Sequence, residues 1–474
     1  MRILLIQPGG TIFTNNNFTS LQFPLSLGYI ASVLINAHHN VKMLDLNVMD
    51  TQELGILIKQ SHPEVVGLTA FSSSIFNAKK IIDEVKEYDE NIITILGGVH
   101  ASALPMETME EIKNLDFLVF GEGEVTVVQL LDYLTNNSDL KEVEGIVFRN
   151  KDSIIMNNPR ALIEDLDTIP FPVRHLLPFE LYSHGRHVTR GLPRENYRTI
   201  ELITSRGCPN KCIFCASHIN YGQKVRFRSF QNIATEIDEN IKRYGITHVD
   251  FEDDTFTINK LLVKRLCVFL KKRKLTWNCL TRINNVDYNL LKFMADSGCI
   301  KVSFGVESGN PEILKKIKKG ITIPQIIKSV KDAKKAGIHY VECFFIIGVH
   351  PDESLEQIKD TVKLISKLQP DSLTLSIMSP YPGTEIFEMM KQRGYISEKP
   401  DWSQFSVFGN LNRYKRLRYL SPTQLYQLQR KILRNYYLSP KYLFSQIVKL
   451  RKFSEIKYFM AMTKLFLQQI VFGK

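Results

Sequence analysis

The sequence predicts an α/β protein that begins with a doubly wound sheet of five parallel strands, continues as a partial (βα)6 barrel and ends in helices. Three observations lead to this prediction. The chain has 474 residues, more than one hydrophobic core usually organises. Short apolar runs alternate with helical patterns in two separate stretches, which is typical of parallel sheets buried on both faces. After residue 402 only helical periodicity continues.

Residues 1–136 are the first predicted domain. Its five strands are expected in the apolar runs RILLIQP, VKMLDL, VVGLTAF, IITILGG and FLVFGEG. Glycines and hydroxyl side chains follow three of these runs, in Gly67–Ser74, Gly97–Ser102 and Gly121–Glu124. Because parallel sheets bind ligands outside the carboxyl ends of their strands, we expect a ligand crevice at this edge.

The amino-acid composition changes between the two alternating stretches. Residues 137–195 are rich in Asn and Pro and predict a linker with a small hairpin. Residues 196–400 return to alternation, and their candidate strands lie near 200–205, 247–252, 277–282, 299–305, 340–347 and 371–377. Six such units predict an open barrel whose chemistry lies at the carboxyl ends of its strands.

Composition excludes several classes of protein. Hydrophobic residues make up 44% and charged residues 23% of the chain, which is typical of globular proteins and not of collagen-like or disordered ones. No apolar run reaches the roughly 18 residues that span a bilayer, and the start does not resemble a signal peptide. We therefore expect a cytoplasmic protein. Its seven cysteines, an odd number, indicate metal ligands or reduced thiols rather than a disulfide framework.

The excess positive charge is confined to the C-terminal region. Residues 411–474 hold 14 Lys and Arg against one acid, whereas the rest of the chain is nearly neutral. Residues 411–474 also contain 12 Tyr or Phe, so the basic helical region, 401–474, is predicted to contact a membrane surface or a lipid substrate. The alternative is that its apolar stripe packs on the barrel. A nucleic acid partner is not expected, because the sequence has no RNA-binding module.

The motif SRGCPNKCIFCAS follows the first strand of the second domain and contains Cys208, Cys212 and Cys215. Three thiolates on one loop match three corners of an iron–sulfur cube and leave the fourth iron open to a substrate. The alternatives are a structural zinc site completed by His218, or reduced surface thiols. The other four cysteines fall in predicted strands and helices, at positions that suit small apolar residues. They are Cys267, Cys279, Cys299 and Cys343.

The C-x3-C-x2-C spacing and the aromatic Phe214 before the last cysteine resemble the cluster loop of the radical S-adenosylmethionine enzymes. The resemblance implies a [4Fe-4S] cluster that binds the amino and carboxylate groups of S-adenosylmethionine. It also implies an external one-electron reductant of the flavodoxin or ferredoxin type. One electron then gives a 5′-deoxyadenosyl radical, which removes hydrogen from an unactivated position.

The resemblance extends to the other strand ends, in the family's order. The motif FEDDTF takes the place of an acidic motif that faces the methionine ammonium, and FFIIGVHP takes the place of a loop that passes the adenine. Taken alone, carboxylates at strand ends cap helices and an Arg is usually solvated. The residues that the resemblance assigns to S-adenosylmethionine are Phe214, Asp253, Asp254, Arg282, Ser303, Glu307 and Gly348.

The first domain resembles the cobalamin-binding domain that precedes the barrel in one class of these enzymes, in GLTAFSSS, LGGVHASALP, FGEGE and the linker IPFPVR. One departure is Asp45-Leu46-Asn47, which stands where many cobalamin proteins have a cobalt-ligating His, so we expect cobalt to lack that ligand. The alternative is that these glycines are ordinary strand-end turns. The residues assigned to cobalamin are Ser72, Ser73, Ser74, Gly97, Gly98, His100 and Gly121.

These features predict a cobalamin-dependent radical S-adenosylmethionine enzyme that methylates an unactivated carbon of a small molecule or lipid. Cyclisation or rearrangement without methyl transfer is one alternative, and a non-catalytic iron–sulfur or cobalamin sensor is another. Methylthiolation is disfavoured, because residues 1–136 contain no cysteine for the second cluster that it uses.

Overall fold

The computed structural model describes residues 1–10, 22–49, 52–136, 139–151, 153–183, 197–405 and 417–449. It contains two main sheets, one of seven strands and one of six, followed by C-terminal helices. The predicted fold class is confirmed. Within the described residues, helices that combine the length and the apolar character needed to cross a bilayer are absent.

The first sheet has the strand order β2-β1-β3-β4-β5-β6-β7. Its strands are β1 Arg2–Gln7, β2 Asn40–Asp45, β3 Val65–Thr69, β4 Ile93–Gly97, β5 Phe117–Val119, β6 Ile146–Asn150 and β7 Ser153–Met156. The five predicted strands are present and parallel. The hairpin expected in the linker, β6–β7, continues the sheet in antiparallel fashion beyond β5, so the sheet is two strands wider than the sequence predicted.

Helices cover both faces of this sheet. They are α1 Leu25–Asn36, α2 Gln52–Ser61, α3 Ile75–Tyr88, α4 Val99–Ala103, α5 Pro105–Glu111, α6 Gly123–Asn136 and α7 Phe179–Ser183. Alternate β1 side chains belong to two cores, because successive residues of a strand point to opposite faces. Ile3 and Leu5 pack in the same core as α1 and α6, whereas Leu4 and Ile6 share a core with α2 and α3.

The second sheet runs in the order β15-β14-β13-β12-β11-β8, with every neighbouring pair parallel. The strands of this half are β8 Thr199–Leu202, β9 Ser205–Arg206, β10 Arg226–Phe227, β11 His248–Phe251, β12 Thr276–Thr281, β13 Cys299–Glu307, β14 Tyr340–Ile347 and β15 Ser372–Ile377. β9 and β10 form a separate antiparallel pair. The six predicted strands are present, and they form the predicted open barrel.

The helices that follow these strands, except the short first one, bury apolar residues against the outside of the barrel sheet. They are α8 Ser217–Tyr221, α9 Phe230–Tyr244, α10 Lys260–Lys272, α11 Tyr288–Ala295, α12 Pro311–Lys316, α13 Ile323–Lys335, α14 Leu355–Leu368 and α15 Glu385–Gln392. The cysteines expected to replace small apolar residues, Cys267, Cys279, Cys299 and Cys343, are buried in this core. Burial raises the pKa of Cys267 to about 12, so it stays a thiol.

The C-terminal helices, α16 Pro422–Tyr437 and α17 Pro440–Ile447, cover the open edge of the barrel. The Tyr437 hydroxyl accepts a hydrogen bond from Leu373 N at 2.9 Å and donates one to Leu373 O at 2.8 Å. Gln429 Nε2 donates to Leu375 O at 2.7 Å. An edge strand presents unpaired backbone groups, and these side chains satisfy part of that edge. The rest of the predicted basic region, 406–416 and 450–474, lies outside the described residues.

Candidate active site between the two sheets

The cysteine loop leaves β9 and ends at α8. Gly207 opens it with φ of +93°, and a Cβ there would collide with the carbonyl oxygen of Lys224, so only glycine fits. Cys208 N donates to Gly222 O at 3.3 Å, and Cys215 N donates to Cys212 O at 3.1 Å. These hydrogen bonds fix the backbone of the short loop that carries the three thiols, and each thiol is half-buried.

Polar donors reach the sulfurs of this loop. Asn210 Nδ2 lies 3.3 Å from Sγ of Cys208, and Arg282 Nη1 lies 3.4 Å from Sγ of Cys212. Burial raises the pKa of the Cys215 thiol to about 11. Across the described ranges, three His, Cys, Asp or Glu side chains never converge closely enough to hold a single metal ion. Three thiols spread over one loop, with donors near the sulfurs of Cys208 and Cys212, fit a cluster in which each thiolate binds a different iron.

Lys319 joins several predicted residues beside this loop. Its Nζ donates to Glu307 Oε1 at 2.7 Å and lies 5.8 Å from the ring centre of Phe214. Its carbonyl oxygen accepts a hydrogen bond from Nη2 of Arg282. The structure therefore brings Phe214, Arg282 and Glu307 together around a residue that the sequence did not single out. Lys319 lies in the run ILKKIKKG, where lysines are usually solvated, and the turn at the following glycine is the one local signal.

One hydrogen-bond donor of the Arg282 guanidinium has no acceptor among the described residues. Its guanidinium is buried, and its Nε has no hydrogen-bond partner. An unpaired buried donor costs free energy, because it has lost water without gaining an acceptor. The site thus offers a positive, unsatisfied group beside the cysteine loop, which fits a carboxylate.

The end of β13 is shaped for this ion pair. Glu307 adopts φ of +69°, a left-handed conformation that is rare for residues other than glycine. A Cβ at Gly305 would lie 2.7 Å from Glu307 Oε1 and 2.9 Å from Lys319 Nζ. Glycine at this position therefore allows the carboxylate and the ammonium to meet.

The acidic motif after β11 divides its side chains among three places. Asp253 is buried and accepts hydrogen bonds from Thr204 N at 3.1 Å and Thr204 Oγ1 at 2.7 Å, so it ties the turn that leads into β9. Burial raises the pKa of the Asp253 carboxyl. Asp254 accepts from Ser217 at the start of α8. Glu252, which was not among the predicted ligands, faces the cavity described below.

Ser303 and Gly348 lie apart from this group. Ser303 Oγ donates to Glu342 Oε2 at 2.7 Å, and the same oxygen lies 3.0 Å from Lys301 Nζ in a fully buried pair. Gly348 N donates to Glu353 Oε2 at 2.6 Å, and a Cβ at Gly348 would lie 3.0 Å from a side-chain carbon of Leu425 in α16. Burial raises the pKa of Glu353 to about 8.

A cavity of about 250 Å³, partly open to solvent, lies between the carboxyl edges of the two sheets. Gly97, Gly98 and Gly121 line its first-sheet side, whereas Arg206 and Glu252 line its barrel side. An apolar arm reaches between the first sheet and two of its helices, lined by Ile3, Leu5, Leu34, Val65, Val127 and Leu131. This is the ligand crevice that the strand-end glycines predicted.

Two glycines give the crevice its shape. Gly98 has φ of +100°, and a Cβ there would lie 2.6 Å from Thr69 Oγ1 and 2.8 Å from the backbone of Ala70. Gly121 has φ of +78°, with no atom within 4 Å of where its Cβ would be. A bare backbone facing open space is a cradle that a large planar ligand can approach closely.

The serine turn and His100 are absent from the described lining of this cavity. Ser72 Oγ bonds His100 Nδ1 at 2.9 Å, Ser73 lies in the same turn, and Ser74 caps the turn on Phe71. His100 is buried with its ring centre 4.8 Å from that of Trp402, and burial lowers its pKa to about 4. In the stretch that lacks the cobalt-ligating His, the Asp45 carboxylate accepts a hydrogen bond from Tyr182 OH at 2.9 Å.

Comparisons with known proteins agree with this geometry. The family model described as the radical SAM superfamily matches residues 202–365, and the B12 binding domain matches residues 13–131. An uncharacterized methyltransferase of Pyrococcus horikoshii is 33% identical over 451 residues, covering 94% of this chain and 95% of its own. The chain belongs to the cobalamin-dependent radical S-adenosylmethionine family. Such enzymes act on small-molecule substrates and need a reductant.

Other relatives carry the names of different activities. The cytidylyl-2-hydroxyethylphosphonate methyltransferase of Streptomyces wedmorensis is 28% identical, covering 83% of this chain and 82% of its own. The anaerobic magnesium-protoporphyrin IX monomethyl ester cyclase of Rubrivivax gelatinosus is also 28% identical, with coverages of 82% and 70%. The methyltransferase TsrM of Kitasatospora setae, solved with cobalamin and a [4Fe-4S] cluster, shares the fold at 17% identity, with a TM-score of 0.69 over 93% of this chain and 89% of its own.

Proposed function

We propose that this enzyme transfers a methyl group to an unactivated carbon of a small-molecule substrate. The observation that carries the proposal is the single cavity that Gly121 of the first sheet and Glu252 of the barrel both line. The cysteine loop would hold the source of the radical, and the glycine cradle of the cavity would hold the methyl donor. Two relatives that span most of this chain are methyltransferases by name, which supports the same reaction.

The chain's own residues bind and orient. Cys208, Cys212 and Cys215 would hold the cluster, and the unpartnered Nε of Arg282 would face the carboxylate of S-adenosylmethionine. Bound there, the cluster and S-adenosylmethionine supply a hydrogen-abstracting radical, and cobalamin supplies the methyl group. The apolar arm of the cavity would bury part of the corrin and exclude water from a reactive site.

The test uses protein reconstituted anaerobically with iron, sulfide and hydroxocobalamin. Methyl-labelled S-adenosylmethionine, a reductant and the small-molecule fraction of a cell extract are added, and both 5′-deoxyadenosine and label in small molecules are measured. We expect both to form. The Cys208→Ala, Cys212→Ala, Cys215→Ala protein should lose iron and both products, whereas Cys279→Ala, a buried cysteine of the core, should keep them. Full turnover by the triple variant would refute the proposal.

A second candidate, cyclisation or rearrangement without methyl transfer, is supported by the cyclase relative. It predicts 5′-deoxyadenosine without transferred label. A sensor without turnover predicts neither product, even though iron and corrin are bound.

We also propose that the enzyme is cytoplasmic and that its C-terminal helices touch a membrane surface rather than nucleic acid. Phe444, Ile447 and Val448 are 70%, 58% and 66% exposed beside the exposed Lys441, a pattern typical of helices at anionic membrane surfaces. Sedimentation with phosphatidylserine vesicles should be lost in Phe444→Ser, Val448→Ser protein. Equal sedimentation of the two proteins would refute this contact.

A further inference from the structure

A buried carboxylate joins the two sides of the cavity. Glu122, in the turn after β5, accepts from Nη1 of Arg206 at 2.9 Å and from Nη1 of Arg226 at 2.7 Å. Glu124, at the start of α6, pairs with Nη2 of Arg206. None of these four side chains is more than 9% exposed. Both oxygens of Glu122 are therefore bonded to the β9–β10 pair, although the residue itself follows a strand of the first sheet.

The two arginines mark the base of the cysteine loop. Arg206 lies in β9, two residues before Cys208, and stands opposite Arg226 in the β9–β10 pair. Glu122 thus bridges β9, from which the loop begins, and its antiparallel partner β10. A shift of Glu122 would be passed to the loop through only two intervening peptide bonds.

The same arginine is part of the cavity wall. The Arg206 guanidinium lies 5.5 Å from the ring centre of Tyr29 in α1 and 5.2 Å from that of Tyr221 in α8. Glu122, Arg206 and both tyrosines line the cavity, whereas Arg226 is not among its lining residues. The ion-pair cluster of Glu122, Arg206 and Arg226 therefore contacts both the cavity and the base of the cysteine loop.

Burying four charged side chains is expensive, and well-packed apolar residues commonly hold two surfaces together equally well. Charge-assisted hydrogen bonds from a planar guanidinium fix direction as well as distance. We propose that Glu122 is a positioning residue that sets the cysteine loop at one separation from the ligand in the cavity. This inference rests on the proposed function for the identity of that ligand, a corrin.

The chain contains a matched comparison. Glu236 of α9 also bridges two arginines, with Arg174 Nη1 at 2.9 Å and Arg228 Nη1 at 2.6 Å, and is fully buried. Glu236 and its two arginines are not among the lining residues of the cavity. Glu236→Gln therefore removes a similar buried ion pair from side chains that belong neither to the lining of the cavity nor to the cysteine loop.

The experiment compares wild type, Glu122→Gln, Arg226→Gln and Glu236→Gln, each purified and reconstituted in the same way. Thermal unfolding checks the fold, an absorbance titration gives the affinity of the corrin-free protein for hydroxocobalamin, and paramagnetic resonance records the reduced cluster. We expect Glu122→Gln and Arg226→Gln to weaken hydroxocobalamin binding by about tenfold and to change the cluster spectrum, as loss of a supporting contact does at metal sites. Glu236→Gln should lower only the unfolding midpoint.

Arg226→Gln is the decisive variant, because Arg226 acts on the cavity only through its neighbours. If it and Glu122→Gln match Glu236→Gln in affinity and spectrum, the inference is overturned. A change in only one of the two readouts also overturns it, since a positioning residue must move both. Wild-type protein that binds no hydroxocobalamin would instead overturn the proposed function.

Discussion

Lys319 and Glu307 form a buried ion pair, with 2.7 Å between Nζ and Oε1, directly beside the cysteine loop. The pair stands between Phe214, over which Lys319 lies, and Arg282, which donates to the carbonyl of Lys319. Four side chains from separate segments thus depend on one another.

Lys319→Met should destabilise the protein by about 3–5 kcal/mol, because Glu307 is left buried without a partner. Urea unfolding measures this loss. The matched control is Lys363→Met, which breaks the exposed Lys363–Asp360 pair and should change stability by less than about 1 kcal/mol. A loss of stability in Lys319→Met no larger than in the control would contradict the prediction.

Arg282→Gln should keep its iron but bind S-adenosylmethionine more weakly by about 1.5–3 kcal/mol, the scale of a hydrogen bond to a charged group. The change that S-adenosylmethionine makes in the paramagnetic resonance spectrum of the reduced cluster measures this affinity. Arg265→Gln, on the exposed side of α10, is the control. Unchanged affinity in Arg282→Gln would exclude Arg282 from the S-adenosylmethionine site.

Gly98→Ala should cost at least about 2 kcal/mol, since it forces a left-handed backbone on alanine and pushes a Cβ into Thr69 and Ala70. Gly55 lies inside α2 with no atom within 4 Å of where its Cβ would be. Gly55→Ala should therefore stabilise the protein by about 0.4–1 kcal/mol. Thermal unfolding of the two variants gives opposite shifts, and shifts of the same sign would disprove the argument.

His100 should make stability depend on pH. Its folded pKa is about 4 against 6.5 in the unfolded chain, so the unfolded state binds the extra proton between these values. The contribution is complete above pH 6.5 and falls by about 1.4 kcal/mol per unit as the pH drops towards 4. His100→Asn should lack this loss between pH 6.5 and 5, where it amounts to about 2 kcal/mol. If the free energy of unfolding of the two proteins depends on pH in the same way, this prediction is wrong.

Local features of the chain were predictable from the sequence. The cysteine spacing, the strand-end glycines and the continuous apolar runs are each contained in a few consecutive residues, because strand burial and loop geometry impose a short-range pattern. The antiparallel hairpin β6–β7 was predicted only as part of a linker, since pairing with β5 is a non-local choice that four or five residues do not encode.

Residue partnerships were not predictable. Arg282 reaches Cys212 across 70 positions, and Arg206 reaches Glu122 across 84. Lys319 was hidden in a run of lysines, although it is buried and the other lysines of that run are exposed. A charged side chain becomes a site residue only when a distant segment removes its water and supplies a counter-charge, and no local pattern reports that event.

The amino-acid order alone determined which two sheets form, where their ligand-facing edges lie and which three sulfurs share a loop. Tertiary structure decided that those edges share one cavity, that the buried His100 packs against Trp402, and that Glu122, in the turn after β5, binds the arginines of the β9–β10 pair. The reason is physical: backbone conformation follows from neighbours in sequence, whereas desolvation and charge pairing follow from neighbours in space.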